Sequence, residues 1–162
     1  MFTASELFDL AARVEENGER FYRSAMKKTK PGPLKELLGW LAEQEVQHKN
    51  IFAEIKEKIS AEMEQDPALL SLGREVLQSA MGRHAFSLDE LEIDSIREEE
   101  QILRAALVFE EDTLLFFEFI SPFVSDQEVC AMLERIKAEE LDHKQILLDK
   151  IAQIQRCPAE GQ

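Results

Sequence analysis

One line of residues limits what this chain can fold into more than any other. From Leu34 a 3-4 spacing runs through Leu38, Leu41, Glu45, His48, Phe52, Ile55 and Ile59, apolar everywhere except at Glu45 and His48. That period belongs to an α-helix, and the stripe is the seam by which such a helix packs on its neighbours. A carboxylate and an imidazole in mid-seam therefore sit where burial costs them most. The pattern recurs in Val129, Leu133, Ile136, Glu140, His143 and Leu147, followed by Lys150 and Ile154, with Lys150 the one departure. Two further stripes, Phe8-Ala11-Glu15-Gly18-Tyr22-Ala25 and Leu103-Ala106-Glu110-Thr113-Phe117-Ile120, each carry one central Glu.

Leu, Ala, Glu, Lys and Gln dominate the long segments and no period-2 alternation persists, so the chain reads as all-α. The first helix starts at a capping box, Thr3-Ala4-Ser5-Glu6, and runs to Lys30-Pro31-Gly32-Pro33; the second has Pro33 in its first turn and extends to about Met63. After Asp66-Pro67 come a short helical stretch over 68–80 and an irregular segment with Gly82 and His84. The third helix spans about Asp94 to Ile120 and stops at Ser121-Pro122; the fourth starts from a capping box, Ser125-Asp126-Gln127-Glu128, and ends near Arg156. Short link, long crossover and short link predict a single domain over 1–162, a ferritin-like four-helix bundle of two helical hairpins. Its pseudo-repeats, about 5–63 and 95–156, are joined by the crossover 64–94.

A shift of 95 residues places Glu15 on Glu110, Phe21 on Phe116, Glu45 on Glu140 and His48 on His143. Leu41 to Ile51 matches Ile136 to Ile146 at only 4 of 11 positions, so what the halves share is the polar constellation. A Glu-x-x-His pair alone says little in so acidic a chain; its place in the seam and its repetition in register say much more. Four carboxylates and two imidazoles converging in a core would each cost several kcal/mol of desolvation, and the acids would repel one another. Two divalent cations remove both objections, because bridging carboxylates hold metals a few Å apart. The bland alternative is a polar layer that fixes helix register, but four acids are an expensive way to do that.

Composition narrows the rest. At 162 residues, with 44% hydrophobic and 32% charged residues, the chain can bury one sizeable core. Lys and Arg number 19 against 33 Asp and Glu, and a net charge of -14 argues against nucleic acid and anionic membrane surfaces as partners. Cys130 and Cys157 form no CxxC pair, which argues against a disulfide scaffold, a zinc ribbon or a cysteine-held iron site and fits a reducing cytoplasm. The N-terminus MFTASELFDL lacks the basic start of a signal peptide, and no apolar run is long enough to span a bilayer.

The segments AARVEENGERFY (Ala11 to Tyr22), EQEVQH and EELDHK, the last two similar to EExxH motifs, resemble the rubrerythrin-like branch of the ferritin-like di-iron carboxylate superfamily over residues 5–155. The resemblance implies that Glu15, Glu45, His48, Glu110, Glu140 and His143 are the iron ligands, with Glu45 and Glu140 or Glu110 as bridges. It implies a cytoplasmic non-haem di-iron oxidoreductase reducing hydrogen peroxide or dioxygen with electrons from a separate electron-donor protein. The alternative is an iron-binding or ferroxidase module that oxidises Fe(II) without reductive turnover. Carboxylate and imidazole without thiolate suit iron or manganese, and zinc can take the same site. Two departures stand out: the rubredoxin-like domain of full-length rubrerythrins is absent, and their extra third-helix carboxylate is Thr113 here.

Tyr22 is the candidate catalytic residue, either hydrogen-bonding a ligand carboxylate or passing electrons; a core Tyr with a satisfied hydroxyl is the competing reading. Gly18 and Thr113 are read as leaving room beside the metals, with a packing choice at a helix crossing as the competing reading. His84 is read as a surface or capping group, Cys157 as a tail thiol, Cys130 as a small buried or half-buried residue, and Glu98-Glu99-Glu100 as a solvated face. Phe116, Phe117, Phe119 and Phe123 read as core and as contacts of a homodimer.

Overall fold

The computed structural model describes residues 4–59 and 98–156. Four helices carry these residues: α1 (Ala4–Lys28), α2 (Pro33–Lys58), α3 (Glu99–Ile120) and α4 (Gln127–Arg156), with a 3-10 turn at Ser121–Phe123. Thr3, the 68–80 stretch, Gly82, His84 and Cys157 lie outside the described residues.

Each boundary has a local cause. Gly32 precedes α2 at φ 153°, a conformation that a side chain would strain, and Pro33 then supplies the first helical φ. α2 stops at Lys58, short of the expected Met63, because Ile59 turns extended (φ −62°, ψ 118°). α3 starts at Glu99 rather than near Asp94, since Glu98 is extended. The N-cap of α4 is Asp126, one residue beyond the expected Ser125: its Oδ1 accepts the backbone N–H groups of Glu128 (2.9 Å) and Val129 (3.0 Å). A carboxylate also suits the positive end of the helix dipole better than a hydroxyl does.

The chain forms a ferritin-like four-helix bundle. Its core has two apolar halves. One joins Leu7 and Phe8 of α1, Phe52 and Ile55 of α2, Phe117 and Ile120 of α3, and Val129 and Leu133 of α4. The other joins Tyr22 and Ala25, Leu38 and Leu41, Leu103 and Ala106, and Leu147 and Ile151. The pairing shows that α1 runs parallel to α4 and α2 to α3, so α2 ends at the opposite end of the bundle from where α3 begins. Burying each Leu, Ile or Phe stabilises the fold by about 1.5–3 kcal/mol, which lets the bundle tolerate a polar band between the halves. The seam of α4 continues from Leu147 to Ile151, leaving Lys150 half-buried at its margin, so the expected departure at Lys150 is a one-residue drift of the stripe. Phe116 and Phe117 are buried while Phe119 is exposed. No described helix is long and apolar enough to cross a membrane.

Candidate metal centre

The band between the two core halves is made of the six residues that the stripes single out. Glu15, Glu45, His48, Glu110 and Glu140 are 0% exposed and His143 1%. Each helix brings its Glu inward at mid-length, and α2 and α4 add a His one turn further on, on the same face.

Their ligand-type atoms form two overlapping groups. Glu15, Glu45, His48 and Glu140 lie within 4.8 Å of one another, and so do Glu45, Glu110, Glu140 and His143. Glu45 and Glu140 belong to both groups, whereas Glu15 and Glu110 each belong to one. Of the expected bridging pairs, the geometry favours Glu45 with Glu140. The two imidazoles are nearly parallel, 5.6 Å apart at 20°.

His143 Nδ1 and Glu140 Oε2 pair at 3.1 Å, but most of the other polar atoms of the band have no partner. Both oxygens of Glu15 and of Glu45, one each of Glu110 and Glu140, His48 Nδ1 and Thr113 Oγ1 are buried without a hydrogen bond. His48 Nδ1 is 2.8 Å from Glu140 Oε1 and 3.5 Å from Glu15 Oε2, close but without hydrogen-bond alignment. Buried polar groups in native proteins are nearly always paired, so a band of orphans aimed at one point calls for a cationic occupant.

Electrostatics agree. Burial, then the charges of Glu140 and Glu15, holds the Glu45 carboxyl well above its ordinary value. Burial raises Glu15 likewise, with the charges of Glu140 and Glu110 adding to the rise. Glu110 is pushed up to about 8 by burial and by Glu140. Burial would raise Glu140 as well, but the close approach of Glu110, His143 and His48 holds it below the usual range. Burial opposes protonation of the imidazoles, yet Glu140 lifts His48 to about 9, and Glu110 with Glu140 lifts His143 to about 10. Without metal, protons fill the place of the cations.

Around this band the two halves differ. The Tyr22 hydroxyl donates to Glu110 Oε1, and the phenol is fully buried. Burial and the charge of Glu110 raise its pKa well above the ordinary value, so it remains a donor. The residue in register with Tyr22 is Phe117, which leaves Glu15 without such a partner. His48 Nε2 meets Glu139 Oε2 at 3.0 Å, and Arg135 Nε donates to Glu139 Oε1 at 2.9 Å. With Nε2–H given to Glu139, His48 turns Nδ1 toward the band. Sequence reasoning missed Glu139; the signal was the Glu139-Glu140 doublet. Its register partner is the neutral Gln44.

The room expected at Gly18 is filled. A Cβ there would lie 2.5 and 2.6 Å from Phe109 Cε1 and Cζ and 3.0 Å from Glu45 Oε2. The glycine lets the Phe109 ring lie against the α1 backbone. Thr113 is buried beside the band, and Cys130 is half-buried with its Sγ 3.0 Å from Val124 O. Glu98 and Glu99 are exposed, and Glu100 pairs with Arg104.

The rubrerythrin family model matches residues 6–149. The chain belongs to the rubrerythrin family. A crystal structure of a Thermotoga maritima protein described as ferritin-like diiron-carboxylate superposes with a TM-score of 0.68 at 20% identity, covering 93% of this chain and 95% of that one. At that identity the likeness speaks for the fold alone. No curated protein matches the sequence. Within the matched residues the chain presents a buried carboxylate–histidine cluster suited to a metal site.

Proposed function

We propose that Glu15, Glu45, His48, Glu110, Glu140 and His143 hold two iron ions, with Glu45 and Glu140 between them, and that the protein reduces hydrogen peroxide or dioxygen with electrons from a separate donor protein. The observation that carries this reading is the pair of four-residue groups sharing Glu45 and Glu140, fully buried and lined with unpartnered oxygens. Four carboxylates balance the charge of two divalent ions, and oxygen and nitrogen donors without thiolate suit iron or manganese.

Bound iron would supply the electrons that cleave an O–O bond. The chain's part is to hold geometry and protons. Glu139 fixes the ring of His48, Tyr22 fixes Glu110, and the apolar halves of the core exclude bulk water. The Tyr22 hydroxyl is the ionisable proton donor nearest Glu110 and the candidate to deliver a proton or pass an electron at that half. Expected surroundings are a cytoplasmic, homodimeric protein.

Anaerobic loading with Fe(II) tests the site: about two ions per chain are expected. Glu45→Ala and Glu140→Ala should lose most of the metal and Glu99→Ala none. Equal loss in all three overturns the assignment. Mixing the reduced protein with peroxide should give one rapid oxidation per site, because the chain's two cysteines cannot hold an electron-transfer iron of its own. A reduced rubredoxin-like donor should convert that event into sustained consumption. If no donor sustains it and oxidised iron leaves the site, the ferroxidase reading replaces this one.

A further inference from the structure

Electrons from an outside donor need a way in, and one exposed aromatic ring lies against the buried band. Trp40, the only tryptophan of the chain, sits on α2 and is 43% exposed. Its ring meets the imidazole of His143 edge-on, with centroids 5.3 Å apart at 82°. His143 in turn stands with Nδ1 3.1 Å from Glu140 Oε2 and 3.8 Å from Glu110 Oε2. Solvent, indole, imidazole and carboxylates thus follow one another in contact. The other aromatic rings at the band end inside the protein: Tyr22 on Glu110 is 0% exposed and Phe109 against Gly18 is 4%. Trp40 instead combines exposure to solvent with direct ring contact to a candidate ligand.

We propose that Trp40 is the entry point through which an external one-electron carrier reduces metal bound at the His143 half of the centre. This rests on the metal-site reading above. The step is an outer-sphere transfer: the donor loses one electron, one ferric ion becomes ferrous, and no bond forms or breaks. The indole carries no lasting charge; its π system, in contact with that of His143, couples donor to metal better than an aliphatic side chain would. The acidic surface, with a net charge of -14, favours a carrier presenting positive charge.

The test uses the full chain loaded with Fe(II), oxidised with peroxide, and reduced anaerobically by methyl viologen radical cation in a stopped-flow instrument. Trp40→Leu, Trp40→Phe and Leu141→Ala are compared with wild type; Leu141 is another exposed apolar residue, on α4 at 58%. Reduction should slow about tenfold in Trp40→Leu, or about 1.4 kcal/mol of barrier, and stay within about threefold of wild type in Trp40→Phe and Leu141→Ala. A second readout needs no turnover: because Trp40 is the only indole, Co(II) bound at His143 should quench nearly all tryptophan emission of the wild type. Equal reduction rates in all variants at equal iron content, or tryptophan emission indifferent to bound Co(II), overturn the entry-point proposal and leave the metal site standing. A wild type that takes up neither Fe(II) nor Co(II) overturns both.

Discussion

Replacing Glu110 by Gln isolates the cost of burying one acid of the band. The substitution keeps size and shape, and the amide oxygen still accepts the Tyr22 hydroxyl. In the metal-free fold the Glu110 carboxyl titrates at about 8 against an ordinary 4.5. A group raised in this way lends its stability below 4.5 and loses it as pH climbs through 8, because the unfolded chain releases the proton that the folded one must keep. At pH 7 the difference spans roughly 2.5 pH units at about 1.4 kcal/mol each, so wild type bears a penalty of about 3 kcal/mol that Gln avoids. At pH 5.5 the span is roughly one unit and the penalty about 1 kcal/mol. Urea unfolding of chelator-treated proteins at pH 5.5, 7 and 8 measures it directly. Glu110→Gln should be the more stable apo protein, with an advantage that grows with pH and raises the melting temperature at pH 7 by roughly 6–12 °C. Saturating Fe(II) should reverse the order, since the variant lacks a ligand charge. An advantage that is absent, or that is the same at all three pH values, would refute the reasoning and place Glu110 in contact with solvent.

Three further outcomes follow from named contacts. The imidazoles, raised to about 9 and 10, also lose their stabilising protons as pH rises, so Co(II) affinity followed by absorbance should strengthen from pH 6 to 8 with proton release to a pH indicator. Glu139→Ala should weaken metal binding by about 10–100-fold in titration, because His48 loses the partner that fixes its ring. Gly18→Ala should cost about 1–3 kcal/mol in unfolding, as Phe109 has to leave its seat on α1, and Gly18→Ala combined with Phe109→Leu should recover part of that loss.

Sequence by itself determined the helices and the side each one buries. A 3.6-residue repeat is a local property, so the four stripes and their central polar residues could be read without coordinates, and every stripe residue of α1 and α3 is buried as expected. The 95-residue register likewise paired the six candidate residues before any distance was known, since two copies of one hairpin must face alike. The capping box of α4 was less legible: Asp126 took the role assigned to Ser125 because neighbouring residues with oxygen-bearing side chains compete for one pair of backbone N–H groups.

Only tertiary structure decided what depends on distances between helices. Which carboxylates belong to both halves of the band, Glu45 and Glu140 rather than Glu110, follows from the distances between ligand atoms on different helices. The space at Gly18 looked open in one dimension, but a ring from another helix occupies it, and no pattern along α1 could reveal a neighbour contributed by α3. Glu139 and Trp40 were hidden for the same reason. Each lies just off its own helix's seam, where a stripe predicts solvent, and each acquires its role from a histidine on the facing helix.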